Sequence, residues 1–341
     1  MISEKQILKA EKPGDIFTND IKIIKNEYKE LVKIYHPDVN TSPNAKDIFQ
    51  KINNFYNIAL KDIEEKRWEK KNFIRINKTN GKAIEATYLS SIKFELGETY
   101  ICNKHIIYVF DSDKKKYKDN MISSIKAIKY ENKKMEEEFK RYFPTILDEF
   151  STTDGKHVVV ISKTEDVFPL KDVLNYFNNK IENRHVAWII SRLQNICCFL
   201  KYNNIVHNGI NINNCFISPE HHAILLLGGW WYATKTDEKM IGTTKEIFDI
   251  MPILSKSNKK SSPITDLESI KLLGRTLCGY SNPRTFMKET DIPKPIAEFL
   301  IGGSGDDAYK EFQNWDTVLD KGYGVRKFIP LTVTKKQIYN L

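Results

Sequence analysis

Cysteines at C-x-x-C spacing are absent from this chain of 341 residues, as is any apolar run long enough to span a bilayer. The first absence argues against a zinc module. The five cysteines (102, 197, 198, 215 and 278) also lack the pattern of a secreted disulfide framework. The second absence argues against a membrane partner. The opening "MISEKQILKAEKPGD" lacks the apolar core of a signal peptide, so a cytoplasmic location is expected. No metal site is read. The net charge of +9 permits nucleic-acid contact, but the lysines are scattered and no nucleic-acid-reading motif accompanies them. What the chain does have is 41% hydrophobic residues and enough length for two domains.

From Ile21 to Tyr35 the apolar positions 21, 24, 28, 31, 32 and 35 recur at three and four, one face of a helix. Lys22, Lys25, Lys29 and Lys33 form a second stripe on another face. Ser42-Pro43 reads as the N-cap and first residue of a second helix. Ala45, Phe49, Ile52, Tyr56 and Ala59 then mark its apolar face. Two such helices joined by a short loop predict an antiparallel hairpin. The loop holds His36-Pro37-Asp38. Pro37 fixes its own φ and restricts His36, so this corner is stiff and its side chains are aimed. No nucleophile or second carboxylate stands nearby in sequence, which favours docking over catalysis.

This stretch resembles a J domain, the signature of the DnaJ class of co-chaperones. "EYKELVKIYHPDVN" matches the second helix and loop, and "AKDIFQKINNFYNIAL" the third helix. The resemblance implies that His36, Pro37 and Asp38 engage a DnaK-class ATPase chaperone and stimulate its ATP hydrolysis. It also implies that the lysine stripe meets an acidic surface on that partner. The first-helix pattern is blurred in "SEKQILKAEKPGDIF", and the zinc-finger and Gly/Phe-rich segments of full-length DnaJ are missing.

A charged exit, "EEKRWEKKNFIRINKTNGKA", reads as a linker ending in an Asn80-Gly81 turn. From about residue 90, "SIKFELGETYI", "KHIIYVFDSD" and "ISSIKAIKY" read as three strands, "KKMEEEFKRYF" as a helix, and "TILDEFSTTDGKHVVVIS" as a hairpin. Helices dominate beyond Pro169, an α+β order. This order resembles the two-lobed protein kinase fold. "AIK" ending at Lys129 matches the third-strand lysine, with Glu138 as its helix partner. "IVHNGININNCFI" matches the catalytic loop H-R-D-L-x-x-x-N, giving His207 and Asn214. "ITDLESIKLLG" matches the helix whose aspartate, Asp266, braces that loop. The whole chain is similar to bacterial and phage-borne fusions of a J domain with a kinase-like domain. The fold class expected is therefore multi-domain, α and α+β: a J domain over 1–70, a linker leading into the first strands over 71–89, a two-lobed kinase-like domain over 90–330 and a tail over 331–341.

Phosphoryl transfer needs a base, carboxylate-held Mg²⁺ and phosphates cradled by glycine backbone. Gly209 stands at the base position. The metal-binding region reads "LLLGGWWYA", with Gly228 and Gly229, and Glu220 is the sole carboxylate between Val206 and Thr236. Gly97 is the sole glycine between Lys82 and Asp154, and the A-P-E region reads "IMPIL". Four requirements fail together, so a pseudokinase is expected, with no cofactor; Lys129 leaves weak ATP binding open, or else it is a structural ion pair with Glu138 or an exposed strand lysine. His207 is expected to hydrogen-bond backbone inside its loop. His221-His222 reads as a turn between strands with no third metal ligand spaced for it. Trp230-Trp231 and Cys197-Cys198 read as core, and "SKSNKKSSP" as a polar loop. The function expected is a co-chaperone whose kinase-like domain is an adaptor for an unknown client or location. The alternatives are a divergent protein kinase and a nucleic-acid-binding adaptor.

Overall fold

The computed structural model describes residues 2–65, 68, 72–325 and 327–339. It divides into two compact units, the first comprising residues 1–77 and 81–89, the second residues 78–80 and 90–341. Residues 66, 67 and 69–71 of the charged exit, and the last two residues of the tail, lie outside the described residues.

The first unit is built on helices α1 (Glu4–Lys9), α2 (Ile21–Tyr35) and α3 (Ala45–Glu64). Helix α1 opens on a reciprocal cap between Ser3 and Gln6. Asp20 caps α2 by accepting from the backbone N–H groups of Lys22 and Ile23. Helix α2 stops at His36, whose ψ of 136 is extended, the conformation a following proline imposes. The expected Ser42 cap for α3 is not formed: Asn44 occupies the N-cap position, and the Ser42 carbonyl accepts from the backbone of Ala45. Ile24, Leu31 and Tyr35 of α2 share a core with Ile48, Ile52 and Ala59 of α3 and Ile7 of α1. Each large aliphatic side chain so buried contributes about 1.5–3 kcal/mol. Tyr28 stacks on Tyr56 with centroids 3.9 Å apart. Strand β1 (Phe73–Asn77) pairs antiparallel with the first half of β2 (Ala83–Phe94), so strands begin within the segment expected as linker.

In the second unit the strand order is β2, β3 (Gly97–Cys102), β4 (His105–Phe110), β6 (His157–Ser162), β5 (Ile146–Ser151). Gly97 joins this sheet at φ 149, where a Cβ would stand 2.0 Å from the Val109 carbonyl oxygen. Helices α4 (Lys115–Lys126) and α5 (Lys133–Phe139) lie between β4 and β5 in sequence. The strand expected over "ISSIKAIKY" is a correction: its residues finish α4 and the loop after it, with Met121 and Ile122 buried. Strand β7 (Phe168–Pro169) leads into α6 (Leu170–Tyr176) and α7 (Asn183–Tyr202). Helix α7 is buried around most of its circumference, from His185 to Leu200, as a central core helix must be.

Short strands β8 (Ile205–Val206), β9 (Cys215–Ser218), β10 (Ala223–Leu226) and β11 (Thr234–Lys235) follow, then α8 (Lys245–Ile250), α9 (Ile253–Asn258) and α10 (Pro263–Leu277). The unit closes with α11 (Pro283–Glu289), α12 (Lys294–Ile301), α13 (Ala308–Tyr323) and α14 (Lys335–Tyr339). Of the segment expected as a polar loop, residues 255–258 finish α9, residues 259–262 form a connection to α10, and Ser261 within it is fully buried. Trp230 and Trp231 are buried, Cys197 is buried, and Cys198 is half-buried. No helix among the described residues is long and apolar enough to cross a membrane.

Candidate functional site

The corner between α2 and α3 is held from beneath and open above. Glu4 of α1 accepts from the Asn40 amide at 3.0 Å and from the Ser42 hydroxyl at 3.1 Å. The Tyr35 hydroxyl donates to the Ile2 carbonyl at 2.8 Å. The His36 carbonyl accepts from the backbone of Val39 and Asn40, which closes the turn. The His36 ring stands edge-on to Phe49, centroids 4.8 Å apart, and its Nδ1 accepts the Asp38 backbone N–H at 3.2 Å. The Asp38 side chain is 86% exposed, and the His36 side chain 39%. The corner thus offers an imidazole and a solvated carboxylate from a backbone that proline and two side-chain clamps keep stiff. Lys22, Lys25, Lys29 and Lys33 are all exposed on α2, and Lys33 pairs with Glu30 at 2.7 Å.

In the second unit the structure brings six of the expected positions together. Asp266, near the start of α10, accepts the backbone N–H of His207 at 2.7 Å and of Asn208 at 2.8 Å, one on each oxygen. Burial pushes its carboxyl up to about 7 against the pull of those two donors. The His207 ring packs edge-on against Trp230, and burial holds it down at about 3, so it is neutral. The Asn214 amide donates to the Gly209 carbonyl at 2.8 Å. A Cβ on Gly228 would lie 2.8 Å from Asn214 Oδ1, and one on Gly229, at φ +81, would lie 2.4 Å from His207 Cε1. The knot is therefore packed to the backbone, with no room for a carboxylate at either glycine.

Lys129 and Glu138 are not brought into this knot. Lys129 sits exposed in the loop after α4, where its backbone N–H donates to Asn203 at 2.7 Å, and Glu138 is exposed on α5. Counted from β2, the third strand is β4, which carries no lysine. Tyr108 projects from β4 instead, and its hydroxyl donates to the Leu227 carbonyl at 3.2 Å. Trp231 packs against Phe94, Tyr108 and Phe110 at centroid distances of 5.0, 5.3 and 5.6 Å. Asn120 of α4 donates to the carbonyls of Trp231 and Ala233. Aromatic rings thus fill the space where a lysine and phosphates were expected to meet.

Sequence reasoning missed Tyr108, Trp231 as its partner, and Asn208. Asn208 sits at φ 56 and donates from its amide to Tyr232, Thr234 and Ser261, tying three segments. The absence of lysine from "HIIYVF" was the available signal for Tyr108. The structure also supplies the third ligand His221 lacked in sequence. Asp166, Glu220 and His221 bring ligand atoms within 4.8 Å of one another, with Glu220 and His221 exposed; His222 is not part of the group.

Residues 17–68 match the DnaJ domain family. Chaperone protein DnaJ 1 of Aquifex aeolicus is 46% identical over 46 residues, which is 14% of this chain and 13% of that protein. Chaperone protein DnaJ 2 of Thermus thermophilus is 50% identical over 44 residues, 13% of this chain and 15% of that protein. The chain therefore spans only about a seventh of the curated relatives it matches. The structure of vaccinia related kinase 3 superposes with a TM-score of 0.50 over 74% of this chain and 93% of that one, at 13% identity. The class is a helical J domain followed by a protein-kinase-like fold of a curled sheet and a helical lobe. The chain is a J-domain and kinase-like fusion.

Proposed function

We propose that this chain is a cytoplasmic co-chaperone that recruits a DnaK-class ATPase chaperone and stimulates its ATP hydrolysis through His36, Pro37 and Asp38. The observation that supports this best is the stiff corner, where the Asp38 side chain is 86% exposed and the His36 ring beside it is partly exposed. The exposed stripe of Lys22, Lys25, Lys29 and Lys33 adds long-range attraction to an acidic partner. His36→Gln is the test. Its ring contributes one long hydrogen bond and one edge contact to the fold, so the variant should fold as the native chain does. Stimulation of the chaperone ATPase should drop to the unstimulated rate; full stimulation by the variant overturns the reading.

The kinase-like domain is read as a pseudokinase that serves as the adaptor for a client or location. The tight packing at Gly228 and Gly229 and the Tyr108–Trp231 cluster support this reading, because neither a metal carboxylate nor a phosphate-binding lysine has a place there. Transfer of radiolabel from ATP to any protein substrate by the purified chain contradicts it.

A further inference from the structure

A cavity of about 770 Å³ lies between α5, the segment after β6 and the β9–β10 hairpin. Its floor is apolar: Phe143, Val167, Ala223, Leu225 and Leu227. Its wall carries Lys163, a cation only 8% exposed. We propose that this groove binds an amphiphilic anion, an apolar body bearing a single carboxylate or phosphate.

The charge bookkeeping of the groove is what points to an anion. Lys163 donates to the carbonyls of Asn103 at 2.7 Å and Thr164 at 3.1 Å. An ammonium has three donors, so one remains without an acceptor among the described residues. No carboxylate stands within ion-pair distance of it among the described residues, and Asp166 and Glu165 nearby only partly offset the cost of its burial. Burial lowers its pKa to about 8, and an anion bound beside it would relieve that cost. Glu136 is neutralised by Lys140 at 2.8 Å. Asp166 accepts from the Ser218 hydroxyl and lies 3.9 Å from His221. Lys133 and Arg141 have no carboxylate partner among the described residues; Arg141 instead bonds and stacks on Tyr142. The groove lining thus carries four basic side chains, Lys133, Lys140, Arg141 and Lys163, against three carboxylates, Glu136, Glu137 and Asp166. The volume falls in the range of small-molecule sites, about 300–1,000 Å³. A mostly apolar lining with a few convergent cations selects a ligand of the same mixed character. The inference is independent of the co-chaperone reading, because no residue of the J domain enters it.

The test uses the full chain and three probes of equal chain length, each below its micellar concentration: decanoate, decyl phosphate and uncharged 1-decanol. Calorimetric titration should give one saturable site for at least one anion, at least about tenfold tighter than for decanol. Whichever anion binds tighter identifies the head group. Leu225→Arg, at a half-buried floor position, should abolish binding, and Lys163→Met should weaken it at least about tenfold. Because Lys163 is buried, the exposed pair Lys133→Ala/Arg141→Ala is the companion variant. It should weaken anion binding several-fold while the circular dichroism spectrum stays native. Absence of a saturable site for both anions overturns the proposal. So does equal affinity for decanol, or unchanged binding by Leu225→Arg.

Discussion

Asp266 and His207 are buried neighbours whose proton affinities move in opposite directions, and their separate removal should expose two opposed pH dependences. Asp266 is raised to about 7 by burial, so between about pH 4 and 7 the folded chain holds a proton that the unfolded chain has lost. Stability on this account falls as pH rises through that window, by about 4 kcal/mol in all at about 1.4 kcal/mol per unit. His207 is lowered to about 3 by burial. Between about pH 6.5 and 3 the unfolded chain takes up a proton that the folded chain refuses, so stability falls as pH drops, by about 5 kcal/mol over the full range. In the native chain the two slopes nearly cancel over pH 4–6.5. Asp266→Asn removes the first slope and one of two charge-assisted hydrogen bonds, costing about 2–3 kcal/mol at neutral pH. Its stability should then fall steeply on acidification below about pH 6.5. His207→Phe should show the reverse, with stability rising as pH drops from about 7 to 4. Urea unfolding followed by tryptophan fluorescence in a Trp68→Phe background reads this unit, because the other four tryptophans, Trp188, Trp230, Trp231 and Trp315, lie within it. Parallel pH profiles for the native chain and both variants would refute the argument.

Three further outcomes are expected. Lys25→Glu/Lys29→Glu should slow association with the chaperone at low salt and flatten its salt dependence, measured by stopped flow, while the helical spectrum is unchanged. Ile52→Ala removes a fully buried side chain between α2 and α3 and should cost about 2–5 kcal/mol in denaturant unfolding, with ATPase stimulation lost in the same range. Trp231→Ala should cost about 3–5 kcal/mol yet give no nucleotide-dependent thermal shift, because opening the space restores neither lysine nor carboxylate.

The helical hairpin was legible because its signals are local. Apolar positions at three and four, a cap and a proline corner each act within a few residues of themselves. The turn within "IVHNGININNCFI" is likewise local: it joins the short strands β8 and β9, in which the same string begins and ends, and Asn211 accepts from the backbone N–H groups of Asn213 and Asn214. The misreading of "ISSIKAIKY" shows the limit. Its isoleucines favour strands by propensity, but Ile122 and Ile125, with Met121, keep the helical period, and packing against the Trp230–Tyr232 turn decided the outcome. Ser255 and Ser261 look like loop residues by composition. Both are buried, and Ser261 bonds the Asn208 amide and the Thr234 hydroxyl, partners 53 and 27 residues away. The place of Tyr108 depends on counting strands across β2, whose hairpin into β3 was read as a single run.

Exposure separates the two motifs more sharply than sequence does. At the helical corner the polar groups that carry the motif face water, where a side chain not needed by the fold is retained only at the cost of nothing and can serve a partner. In the kinase-like unit His207, Asn208, Asn214 and Asp266 are each less than a tenth exposed, and each is tied to backbone or packed on Trp230. Polar groups so buried are costly unless satisfied, and here their partners are other parts of the same knot. Asp266 bonds two consecutive backbone N–H groups, Asn208 spans three segments, and the two glycines let the strands beyond them close to backbone contact. The knot is not fully satisfied, however: neither ring nitrogen of His207, expected to bond backbone within its loop, nor the Asn208 amide oxygen finds a hydrogen-bond partner among the described residues. These groups are nonetheless closed off from solvent, whereas at the other corner the Asp38 side chain is 86% exposed and the His36 ring is partly exposed.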